Sequence, residues 1–147
     1  MHKNKWLLLT LAAGIFLAGL ALGSVLQPGA VVRAQANGRV FEIRTYTAAE
    51  GKLDALHARF RDHTLRIFKK HGMTSVGYFK PQDPPLSQTT LIYILAHPSR
   101  DAAKKAWAEF QADPEWKKVA AESQVNGPLL SKVESVFADA ADYAPVK

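Results

Sequence analysis

The stretch Val40-Phe41-Glu42-Ile43-Arg44-Thr45-Tyr46-Thr47 alternates residue by residue, with Phe41, Ile43 and Thr45 on one side and Glu42, Arg44 and Tyr46 on the other. A period of two is the signature of a β-strand. Its second side is polar, and a Glu and an Arg withdrawn from water need partners. Beyond this strand, residues 50 to 71 place Leu53, Leu56, Phe60, Ile67 and Phe68 at three- and four-residue spacings and stop at Gly72. That pattern predicts a helix with one apolar face turned to a sheet.

Thr74 to Lys80 and Thr89 to Ala96 read as two further strands, joined by a turn containing Pro81, Pro84 and Pro85. His97-Pro98 ends the second of them, and Ser99 is placed to cap a helix carrying Ala103, Ala106, Trp107 and Phe110 on one stripe. Asp113 as N-cap and Pro114 at the first helical position start another short helix to about Ser123, and Leu130 to Phe137 supplies a last strand. The order is βαββαβ, the α+β, ferredoxin-like arrangement of helices on one side of an antiparallel sheet. Tyr78, Tyr93, Ile92, Ile94, Val133 and Phe137 put apolar or aromatic groups on both sheet faces. A face left in water is ordinarily more polar, so the pattern predicts a homodimer in which two sheets pack together.

The chain opens with a different kind of segment. Residues 6–26 carry no charge, follow Lys3 and Lys5, and precede Ala34-Gln35-Ala36, a small-x-small pattern. These are the parts of a secretory signal peptide, which assigns residues 1–36 to a leader and places the domain at residues 37–147. The protein is expected to be exported, periplasmic or extracellular. The alternative is an uncleaved anchor at 6–26, a single N-terminal transmembrane helix, and a membrane is a partner only in that case. The 19 Lys and Arg residues outnumber 13 Asp and Glu, but Lys3, Lys5 and Arg33 fall within the first 36 residues, leaving 16 against 13. No basic run remains and no nucleic acid partner is expected. With no cysteine there is neither a disulfide nor a lipidated N-terminal Cys.

Phe41-Glu42-Ile43-Arg44-Thr45-Tyr46-Thr47, then Gly51, His63-Thr64, Lys70-His71-Gly72, Ala106-Trp107, Phe110 and Asp113-Pro114-Glu115-Trp116 together resemble the NIPSNAP family. The likeness spans nearly all of the domain. It implies a NIPSNAP-like domain of the dimeric α/β-barrel class, in agreement with the fold read from the pattern, and no particular reaction. Related dimeric α/β-barrel families include haem-degrading and quinone-forming monooxygenases, so an enzyme enters by analogy alone.

The ligand-binding candidates are Arg44, Tyr46, His63, Tyr93 and Trp107. Glu42 and Arg44 admit two readings. They form an ion pair at the dimer interface, or they border a cavity inside the barrel where Arg44 holds an anionic group and Tyr46 or Tyr93 donates a hydrogen bond. His63 lies at the edge of the helix's buried face, pointing into a cavity or hydrogen-bonded to the fold. Trp107, Phe110 and Trp116 make either core or a flat slot for a planar ligand such as haem or a quinone. The histidines do not pair at metal spacing, so neither metal nor cofactor is expected. Gly-rich phosphate loops and Gly-x-Ser-x-Gly elbows are both missing, which argues against nucleotide and nucleophilic hydrolysis. The expectation is a homodimeric module binding a small hydrophobic or anionic ligand, or a protein. The alternative is a cofactor-independent monooxygenase or related small-molecule enzyme.

Overall fold

The alternating stretch forms β1 (Val40–Ala48), and the other strands are β2 (Thr74–Phe79), β3 (Thr90–His97) and β4 (Leu130–Asp139). They pair antiparallel in the order β2-β3-β1-β4, so β1 and β3 are central. This computed structural model describes residues 38–146; the leader at 1–36 and its apolar run at 6–26 lie outside the described residues. Among the described residues no helix is long and apolar enough to cross a membrane. The architecture is the α+β, ferredoxin-like βαββαβ fold.

The segment expected as one helix is helical over 53–70 but not uniform. It runs as α1 (Leu53–Arg59), a π-helical turn (Phe60–Thr64) and α2 (Leu65–Lys70). Leu65 N–H donates to the Phe60 carbonyl five residues back, and the Thr64 hydroxyl donates to the Arg59 carbonyl at 3.2 Å. Apolar periodicity does not register such a local widening, because the stripe continues through it. The segment ends where expected, at Gly72, whose φ of 72° is a left-handed conformation that a side chain resists.

Both predicted caps form. The Ser99 hydroxyl accepts from Ala102 N–H at 3.0 Å and opens α3 (Arg100–Ala112). Asp113 accepts from Glu115 N–H at 2.8 Å and opens α4 (Pro114–Glu122), with Pro114 in the first turn. Asp113 also pairs with Lys70 and His71, each at 2.7 Å, so one carboxylate joins the end of α2 to the start of α4. His71 therefore has a specific partner in addition to its place at a helix C-terminus.

Register decides which side of the sheet is covered. Glu42, Arg44 and Tyr46 stand opposite Leu95, Tyr93 and Leu91, and this face packs under the helices. Leu56, Ile67, Phe68, Tyr93, Leu95 and Phe110 are almost fully buried there. Tyr93 is ringed by Tyr46, Phe60, Phe68 and Tyr78, with centroids 5.1 to 6.0 Å away. Contacts of that kind add to area burial by about 0.5–1.5 kcal/mol each. On the other face Ile43, Ile92, Ile94, Val136 and Phe79 share one side, and Ile43, Val136 and Phe79 are exposed. The polar side of β1 is thus the helix-covered side, and the apolar side is the open one.

Candidate functional site

Glu42 is 1 % exposed, yet its carboxylate accepts four hydrogen bonds. On Oε1 the donors are Arg44 Nη1 at 2.6 Å and the Ser135 hydroxyl at 2.8 Å; on Oε2 they are Trp107 Nε1 at 2.7 Å and His97 Nε2 at 3.0 Å. Burial works to raise the Glu42 pKa, but the bonds from His97, Trp107, Ser135 and Arg44 outweigh it and hold the carboxyl at about 2. An ionised carboxylate only accepts, so each of these partners donates. The four come from β3, α3, β4 and β1 itself. The Glu42 side chain faces the helices, and its charge is answered within the chain.

Two residues along β1 on the same face, Arg44 continues the network. Its guanidinium carbon lies 4.2 Å from the Trp107 ring centroid and 5.4 Å from that of Tyr46. Burial opposes the Arg44 charge, while Tyr46, Tyr93 and Glu42 together raise its pKa. One nitrogen, Nε, is buried without a partner. Arg44 and Tyr46 border a cavity of about 330 Å³ between the β1/β4 side of the sheet and the helices. The Arg44 cavity lies between helix and sheet of a single chain.

The cavity has a second arginine that the sequence did not single out. Arg59, the last residue of α1, is 7 % exposed and lies on the same cavity wall as Phe60 and Thr64 of the π turn. Its guanidinium carbon is 5.2 Å from the Trp116 ring centroid, and Nη1 reaches the Ser123 hydroxyl only at 3.4 Å. Nε is buried and unpartnered, and among the described residues no carboxylate stands within ion-pair distance. Burial lowers the Arg59 pKa, and Tyr46 and Tyr93 only partly oppose it. Arginine nevertheless stays charged in a protein. The cavity therefore holds two cations, the half-buried Arg44, which Glu42 answers, and the buried Arg59. A signal was present in the sequence: Arg59 follows Leu56 by three residues, so it interrupts the apolar stripe with a charge.

The remaining lining is aromatic. Phe60, Phe68, Trp107, Phe110 and Trp116 all border the cavity, with Phe110 and Trp116 rings 4.3 Å apart and Phe68 and Trp107 rings 5.5 Å apart. Gln111, Gln124 and Val133 are exposed and mark its mouth. Among the predicted site residues the structure thus joins Arg44, Tyr46 and Trp107. Tyr93 sits opposite Arg44, fully buried beneath the lining; its hydroxyl lies beside Tyr46 but completes no well-formed hydrogen bond, and burial raises its pKa strongly. His63 does not join them. It is exposed and borders an outer groove with Ala55, Asp62, Glu122 and Ser123, on the far side of Arg59. Among the described residues no cluster of His, Asp and Glu could hold a metal ion.

The NIPSNAP family profile matches residues 41–145, which include both arginines and every residue of the Glu42 network. A solved NIPSNAP family protein of unknown function from Agrobacterium tumefaciens is 26 % identical, with a TM-score of 0.66 over 76 % of this chain and 96 % of that one. Two NIPSNAP-domain proteins from Burkholderia xenovorans, both uncharacterised, share the fold: one at 17 % identity and TM-score 0.64, over 74 % of this chain and 90 % of that one. The other has 23 % identity and TM-score 0.61, over 72 % and 98 %. None of the curated proteins matches this chain. A profile match across the whole βαββαβ unit, on the fold that solved members have, means that this chain belongs to the NIPSNAP family.

Proposed function

We propose that this NIPSNAP domain is an exported, homodimeric module that binds a small molecule in the cavity between sheet and helices. The observation that carries this reading is Arg59: a buried guanidinium without a carboxylate, on the wall of an aromatic cavity of about 330 Å³. Leaving a charge buried and unpaired is costly, and cavities of roughly 300–1,000 Å³ with apolar walls and a few placed polar groups are the usual form of ligand sites. Support for the homodimer is the open sheet face, where Ile43, Phe79 and Val136 are exposed beside Ile92 and Ile94. Support for export is the leader pattern ending at Ala36.

Binding is favoured over turnover by the state of the titratable groups. Glu42 is saturated by four donors, and His63 faces the outer groove, so neither is placed to move a proton in the cavity. The test is native mass spectrometry of the protein purified from its host. The expected spectrum shows two chains, each beginning after Ala36, with a retained small molecule released on activation. Single chains would remove the dimer, and an intact leader mass would remove cleavage. Apo chains that also bind nothing from a host metabolite extract would remove the binding module.

A further inference from the structure

We propose that the cavity is built for a planar aromatic monocarboxylate of one or two rings, with its carboxylate on Arg59 and Arg44 and its rings against Trp107 and Trp116. This rests on the cavity being a small-molecule site and adds the class of ligand.

The charge balance sets the number of negative charges. Glu42 neutralises Arg44 at 2.6 Å, so the cavity carries a surplus of one positive charge, located at Arg59. A monoanion completes the balance; a dianion would leave an excess charge in a site lined by six aromatic side chains.

The donors set the shape of the anionic group. Both guanidinium groups border the cavity with donors left over: Arg44 spends Nη1 on Glu42 at 2.6 Å, and Arg59 Nη1 reaches only the Ser123 hydroxyl at 3.4 Å. Guanidinium groups offer planar, forked N–H pairs that match a carboxylate in two-point contact. The Thr64 hydroxyl on the same wall is committed to the Arg59 carbonyl and Trp107 Nε1 to Glu42, which leaves the two guanidinium groups as the charged donors of the lining.

Volume and walls set the rest. An apolar cavity of roughly 150 Å³ accommodates benzene, and this one, at about 330 Å³, has room for about two fused rings with a carboxylate. Trp107 and Trp116 are each already under a guanidinium, at 4.2 and 5.2 Å, which fixes both indoles as side walls flanking the cations. Gln111 and Gln124 at the mouth are exposed amides suited to a polar substituent on the outer ring.

The experiment is isothermal titration calorimetry of the purified protein with three probes of one shape: 2-naphthoate, 2-naphthalenemethanol and 2-naphthyl phosphate. The expected result is one 2-naphthoate per chain, bound at least tenfold more tightly than the alcohol or the phosphate. Arg59→Met is expected to bring naphthoate down to the affinity of the alcohol without changing the alcohol's own. Equal affinity for naphthoate and the alcohol in the unaltered protein overturns the carboxylate but leaves the cavity reading in place. A preference for the phosphate overturns the monoanion. Failure of all three to bind overturns the aromatic carboxylate, while the cavity reading falls only if the metabolite extract also yields no ligand. The probe series on the unaltered protein decides the matter even if Arg59→Met does not fold.

Discussion

At the scale of single residues, Glu42 is the group on which the site depends. It holds Arg44 and Trp107 in place and also receives His97 and Ser135, so it fixes two walls of the cavity without lining it. Breaking a buried charge pair by neutralising one partner costs more than the pair contributes, because the other charge stays buried. Glu42→Gln is therefore expected to destabilise the fold by about 3 kcal/mol, read from urea unfolding. The same carboxyl gives a pH dependence. Its pKa is lowered on folding from 4.5 to about 2, so its contribution is fully present above about pH 4.5 and is lost as pH falls toward 2. The urea midpoint of the unaltered protein should decline across that window, and Glu42→Gln should flatten the decline. An unchanged slope in the variant would mean that other carboxyls, Asp113 among them, carry the acid sensitivity.

At the scale of elements, the helices are held at their ends as much as by their faces. Ser99→Ala removes one cap bond and should cost about 1 kcal/mol. Asp113→Ala should cost more, because it removes a cap and also frees Lys70 and His71 at the end of α2. Asp113→Asn keeps the cap and loses the ion pairs, so thermal unfolding should place it between the Ala variant and the unaltered protein. The caps were legible in the sequence because a cap is a contact within three residues of the chain. The π turn was not. It displaces the helix by one hydrogen-bond step while leaving Leu56, Phe60, Ile67 and Phe68 on the buried side, so the apolar pattern is the same with or without it.

At the scale of the whole molecule, one sheet face lies under helices and the other presents Ile43, Phe79 and Val136. Burying those side chains against a second copy would recover about 25 cal/mol per Å² of apolar area, and β1 lies at the centre of the face. Light scattering is expected to give twice the chain mass, and Ile43→Asp should halve it while leaving the far-ultraviolet circular dichroism unchanged. A monomer before substitution would sink that expectation. The sequence by itself determined the order of strands and helices, their caps and the polar side of β1, since periodicity and capping are properties of residues a few positions apart. Only the tertiary structure decided that this polar side faces the helices, and that residues 97, 107 and 135 converge on Glu42. It also decided that Arg59 shares a cavity with Arg44. The physical reason is that a buried charge is answered by whatever the fold brings within hydrogen-bond reach, and those partners lie 55 to 93 residues away from Glu42 along the chain.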